Sequence, residues 1–212
     1  MDELELKSLW QQQSRKLEET LILNRRLIEE IQTQKAESKI RAFLRNQAVY
    51  VVLGILWVWL LGFLVYHTSN IFFRISIGAI VLFNIYAVVV YMKHIAILNS
   101  INIAESITET QQKLTEVKIS LSSVGRILIL QTPFYCTFWY STELFQKAGI
   151  QFWIINLSIV AIFVAASIFL YQKLTYKNMH IKWVKHVMES FGGKTLSQAV
   201  EFVDEIEKFK KG

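Results

Sequence analysis

The feature that most limits how this chain can fold is Ala48–Tyr66, AVYVVLGILWVWLLGFLVY, a run of 19 residues with no charged side chain. As a helix rising ~1.5 Å per residue it reaches roughly 30 Å, the thickness of a bilayer's hydrocarbon core. Arg41 and Arg45 flank it on one side and His67 on the other. A run of this length and purity reads as a membrane span. Three more apolar stretches follow, at 71–92, 127–145 and 150–171. The expected fold is an all-α integral membrane protein, a bundle of four transmembrane helices with long helical extensions outside the bilayer.

The net charge of +6 matters through its placement. Residues 1–47 hold nine Lys and Arg, 93–126 hold four and 173–212 hold eight, leaving only Arg74 and Lys147 in the other connections. Basic residues collect on the cytoplasmic side of a membrane. Both termini and the 93–126 loop are therefore expected in the cytoplasm. The first 47 residues lack the short apolar core and small-residue cleavage site of a signal peptide, so Ala48–Tyr66 serves as its own insertion signal. The tail also carries eight acids and has no one-sign basic face, so direct nucleic-acid binding is not expected.

Residues 1–47 contain neither Pro nor Gly and read as one helix continuous with the first span. Leu6, Trp10, Leu17, Asn24, Leu27 and Ile31 fall at a and d positions of a heptad, and Leu21 and Ile28 widen the stripe. Gln13, Thr20 and Gln34 interrupt it. Leu6, Trp10, Leu17, Leu21, Asn24 and Ile28 are the candidate partner-binding residues, whether the partner is a soluble protein, a second copy or the chain's own helices. Asn24 among apolar neighbours is the kind of residue that sets register in a two-stranded coil, which makes a homodimer plausible.

The loop 93–126 is expected to be a helical hairpin. Ser106 with Glu109 forms a capping-box pattern, after which Ile107, Leu114, Val117, Leu121 and Val124 share a face. The third span, about Ile127–Phe145, contains Gln131, Thr132, Pro133 and Thr137, so it should be bent at Pro133 and be the most buried of the four. Ala161, Ala165 and Ala166 suit the fourth span to close packing. Beyond Tyr171 the helix should continue as a basic amphipathic tail, with Met179, Trp183, Val187 and Phe191 on one face, as far as Gly192-Gly193. Thr195 with Gln198 then opens a last helix whose apolar face is Leu196, Val200, Val203 and Ile206.

Four polar residues in or beside the spans stand out: Arg74, Asn84, Glu143 and Asn156. Arg74 can snorkel to the outer interface and could pair there with Glu143, while Asn84 suits an interhelical hydrogen bond. With Gln131, the last three could line a polar path, the alternative in which the chain is a subunit of a transporter or channel. No inverted repeat supports that path. The single cysteine, Cys136, reads as a packing residue, and four scattered histidines give no metal-ligand spacing. No catalytic set, metal site or cofactor motif is present, and a non-enzyme is expected.

Leu9-Trp10-Gln11 on a helix running from acidic to basic, followed by four spans and a basic helical tail, resembles a group of small inner-membrane proteins of Bacteroidota-type bacteria. Their genes lie beside extracytoplasmic-function sigma factors. The resemblance implies an anti-sigma-like regulator, tethered by its spans, whose cytoplasmic helices hold a sigma factor.

Overall fold

The computed structural model describes residues 3–103, 106–175, 178, 180–188 and 194–211. Within some helices, those side chains at the chain's ends that are not described include Leu6. Among the described residues the chain is helical, with no strand. Three helices are long and apolar enough to cross a membrane, lying within Glu3–His67, Ile71–Asn99 and Ile150–Lys173.

The first helix, α1 (Glu3–His67), is 65 residues without a break. It joins the charged N-terminal segment to Ala48–Tyr66 as one rod of about 97 Å. A turn at Thr68-Ser69-Asn70 reverses the chain into α2 (Ile71–Asn99), where the Asn70 side chain accepts from the backbone N–H of Phe72 and Phe73. α1 and α2 lie antiparallel along the longest contact in the molecule. At Gly54 the two helices approach closely, since a Cβ there would stand 2.7 Å from Cγ2 of Val88.

α3 (Ile107–Ile129) begins as its capping box predicts, with Ser106 Oγ accepting from the Glu109 N–H at 3.2 Å. Leu114, Val117, Leu121 and Val124 are buried, the expected face. The last helix, α7 (Lys194–Lys211), lies in the groove between α1 and α3. Here the best-buried core forms: Ala36, Ile40 and Phe43 of α1, Leu98 of α2, Leu114, Val117 and Leu121 of α3, and Leu196, Ala199, Val203 and Ile206 of α7. It sits at the charged end of the molecule and not in the apolar half, where outward side chains suit lipid. A smaller cluster in the apolar half joins Leu61 of α1 to Ile77 and Ile80 of α2.

The spanning helix expected over Ile127–Phe145 does not form. α3 ends at Ile129, a 3₁₀ turn covers Thr132–Cys136, and a short α4 follows at Thr142–Lys147. Pro133 has no N–H to continue an α-helix, and the backbone closes i→i+3 bonds instead. These run from Leu130 to Ile127, Gln131 to Leu128, Phe134 to Gln131, Thr137 to Phe134 and Tyr140 to Thr137. The strap so formed is half-buried, not the most buried passage. It runs antiparallel to α5 (Ile150–Lys173). Arg126 meets Tyr171 at one end, and Trp139 and Tyr140 meet Phe152 and Trp153 at the other. The α5 residues between these contacts rise about 28 Å. The end of α3 and the strap cover this length in fewer residues than α5 does, because 3₁₀ turns advance ~2.0 Å per residue.

Two further expectations fail. α5 does not continue into the basic tail. It stops at Lys173, where the Asn178 side chain donates to the Lys173 carbonyl, and a separate α6 starts at Lys182. In α6 it is Val184 that is fully buried, with Trp183 exposed; Met179 and Phe191 lie outside the described residues. Ala161, Ala165 and Ala166 are exposed on α5, which buries only Ser167.

Candidate functional site

Two constellations were expected to carry function, and the fold treats them differently. The polar residues of the apolar half are drawn together as fastenings of the strap. Asn84 Nδ2 donates to the Ile80 carbonyl at 2.8 Å and to Gln131 Oε1 at 3.2 Å. Closer to the α1–α2 turn, the hydroxyls of Ser76 and Thr137 lie 2.9 Å apart. At the turn itself Asn70 Nδ2 donates to the Tyr140 carbonyl at 2.6 Å. The three contacts climb α2 in steps of eight and six residues, so one face of α2 is stitched to the strap along its length. Asn84 makes the interhelical bond that its position suggested. Thr137 was read as an inward polar position without its partner, and Ser76 and Asn70 were missed, because a single small polar side chain gives no periodic signal.

The other polar candidates stay apart. Asn156 bonds weakly back to the Phe152 carbonyl of its own helix at 3.4 Å. Arg74 Nε donates to the Thr68 carbonyl at 2.8 Å, and Glu143 faces Lys147 at 3.5 Å on the surface of α4. The Arg74–Glu143 pairing is replaced by these local partners, which lie one or two turns away in sequence and cost less ordering to reach. An aromatic cluster closes this end of the molecule. Phe145 of α4 stacks on Phe72 at 5.0 Å and lies 4.2 Å from Trp153, which in turn meets Tyr140 at 5.4 Å. Such rings belong at a bilayer interface.

One buried polar pair was not foreseen. Gln47 of α1 and His94 of α2 are fully buried, at 1% and 0% exposure. Gly54 faces Val88, so counting back along the antiparallel seam places Gln47 and His94 at the same level, where the apolar half meets the charged end.

The N-terminal stripe is the opposite case. Trp10, Leu17, Leu21 and Ile28 are exposed, Trp10 at 72% and Leu17 at 64%, and Asn24 is exposed beside them. Ile22, Leu23, Leu27 and Ile31 add to the apolar surface. Farther along the same helix, Ala36, Ile40, Phe43 and Gln47 are buried. Successive residues turn by about 100°, so in a straight helix the stripe points about 90° away from the buried face. The helix therefore presents one side to the protein's own core and another to whatever lies outside it. From Trp10 to Ile28 it reaches ~27 Å.

No protein-family model, curated protein or solved structure matches the chain. Function must then be read from these surfaces.

The stripe has the properties of an anchor row: large side chains, i, i+4, i+7 spacing and solvent on all sides. Such a row binds another helix or a hydrophobic groove. Its flanks offer no charge ladder. Arg15 and Glu19 pair at 3.8 Å within the helix, both largely exposed, a pair that contributes little to stability.

Proposed function

We propose that the chain is a non-enzymatic, membrane-anchored regulatory or scaffold protein whose projecting first helix binds a soluble cytoplasmic protein. Four passages hold it in the bilayer: α1, α2 and α5 as helices, and the strap as the fourth. The asymmetry of Lys and Arg puts both termini and the 93–126 hairpin in the cytoplasm. α3 and α7 brace the root of α1 there and leave its outer part as a stalk.

The observation that carries this reading is the exposed row Trp10, Leu17, Leu21 and Ile28 on the outer part of a helix whose inner part, at Ala36, Ile40 and Phe43, is packed against the protein's own core. Soluble surfaces seldom display contiguous apolar area on this scale without a partner to cover it. The resemblance to membrane proteins encoded beside sigma factors makes a sigma factor the first partner to test.

The test compares the full chain, purified in mild detergent from its host, with a variant carrying Trp10→Ser, Leu17→Ser, Leu21→Ser and Ile28→Ser. A sigma factor that copurifies with the unmodified chain and is lost from the variant supports the proposal. The same companions on both, or a sigma factor retained by the variant, overturns the assignment of the stripe.

A further inference from the structure

The chain leaves its last membrane-sized helix through a basic segment that the fold keeps beside the helix end. α5 and its first residue beyond the apolar run are uncharged from Ile150 to Gln172, and Lys173 is the first charge. These 23 residues rise about 35 Å, which sets Lys173 at one bilayer surface. Arg126 lies at the same level. Its Nε donates to the Tyr171 carbonyl at 2.8 Å and its guanidinium sits 4.4 Å from the Tyr171 ring centre.

Beyond Lys173 the described residues stay tied to the helix end. Asn178 Nδ2 donates to the Lys173 carbonyl at 2.8 Å, and the Ile181 N–H donates to the Asn178 carbonyl at 3.0 Å. A turn of that kind keeps its ends within about 7 Å, so α6 (Lys182–Met188) starts on the order of 15 Å from the end of α5. It lies in the headgroup zone of the same surface.

α6 is two-sided. Val184 is fully buried and Val187 half-buried, which seats the helix on the protein. Lys182, Trp183, Lys185 and His186 are exposed. At 100° per residue Lys182 and His186 stand opposite Val184, with Trp183 and Lys185 on the flanks. From Gln172 to Met188 the sequence holds four lysines and two histidines and no acid. The N-terminal tail, equally basic by count, interleaves nine basic residues with eight acids. A topology signal needs no such exclusion of acids, because Asp and Glu contribute little to orientation.

We propose that α6 and the end of α5 form a binding surface for anionic lipid headgroups. Lys173, Lys182, Lys185 and Arg126 face the phosphates, and Trp183 enters the boundary between headgroup and acyl chain. Juxtamembrane lysines are drawn to anionic lipid through a field that decays within a Debye length, and an exposed Trp prefers that boundary. The surface rests on the membrane reading of α5 and is independent of what binds α1.

Hydrogen exchange over residues 178–188 in the full chain tests it, in nanodiscs of phosphatidylcholine alone or with about 30% phosphatidylglycerol. Anionic discs should slow exchange of α6 about fivefold, and roughly 0.5 M salt should restore it. The triple variant Lys173→Gln, Lys182→Gln, Lys185→Gln should lose the difference while α1, α3 and α7 keep their protection. Equal exchange of the unmodified chain in the two disc types overturns the proposal, since the Val184 seat alone would then hold α6. So does a slowing that the triple variant retains.

Discussion

The two parts of α1 before its apolar run are written alike and end differently. Residues 10–28 and 32–47 both carry bulky or small apolar groups at helical spacing among charges, and both lie on one unbroken helix. The second part meets α7 and α2 and buries Ala36, Ile40 and Phe43 to within 5% exposure. The first part buries none of its residues and leaves Trp10, Leu17 and Leu21 more than half exposed. Amphipathic pattern alone therefore specifies that a helix has a face to cover, and not what covers it. Where the covering element is in the same chain, the face supports stability; where it is absent, the same chemistry becomes a surface for recognition.

That contrast is broken most severely at the covered end. Val203→Asp places a carboxylate at a fully buried position of α7, within the apolar cluster shared with α1 and α3. Burying an unpaired charge is among the few single changes that cost more than ~4 kcal/mol. Limited proteolysis should release α7, and thermal unfolding followed by circular dichroism should lose the transition of the charged-end core. Leu114→Ala, fully buried on α3, should cost ~2–5 kcal/mol by leaving a cavity. A melting temperature unchanged by either substitution would mean that α7 does not cover this face.

The α1–α2 seam comes next. Gly54→Ala adds a methyl that would meet Cγ2 of Val88, on a β-branched side chain with little rotamer freedom. Overpacking of this sort costs ~1–3 kcal/mol. Val88→Ala should recover much of it, a coupling measurable by a double-mutant cycle in detergent. Independent, additive losses would place the two residues apart.

The strap gives a smaller effect. Asn84→Leu leaves Gln131 without its partner across the α2–strap contact. Interhelical hydrogen bonds in membranes average ~0.6 kcal/mol and reach ~1.7, so the single change should fall in that range. Replacing Gln131 by Leu as well should bring stability back close to that of the unmodified chain, because no polar group is then stranded. A double variant much worse than the sum of the singles would require a role for the pair beyond fastening.

These magnitudes also mark what could be read from the sequence. Ala48–Tyr66, Ile71–Met92 and Ile150–Tyr171 are long apolar runs, and length with hydrophobicity is a local property, so their helices were predictable. The Ser106–Glu109 cap and the face of α3 were legible for the same reason: capping and periodicity act within a few residues. The segment after Ile127 misled. Its apolar content matched a span, but Pro133 and the clustered Thr and Gln side chains favour i→i+3 turns, and partners on α2 satisfy them only in the folded chain. Helix continuation past Lys173 failed for a local reason that apolar periodicity does not record, since the Asn178 side chain caps the Lys173 carbonyl. In the candidate site, the stripe residues were visible from spacing, whereas their exposure depends on where α7 ends, which no local pattern records.

The smallest stability effect belongs to the stripe, and it is the most informative. Leu17→Ser with Leu21→Ser removes two exposed side chains from α1 and touches no residue of the core. Surface changes of this kind stay within about 0.5 kcal/mol, and the loss of Leu helix propensity on the stalk is of similar size. The unfolding transition of the purified chain should therefore be unchanged. If α1 instead pairs with a second copy through this row, the same double variant should lower the apparent mass in multi-angle light scattering. It should also make the unmodified chain's stability rise with concentration, as association requires. A stable transition with unchanged mass assigns the row to a different protein, and a lowered mass assigns it to the chain itself. A substantial loss of stability without a change in mass would break the comparison, because the outer stretch of α1 would then be packed like the inner one.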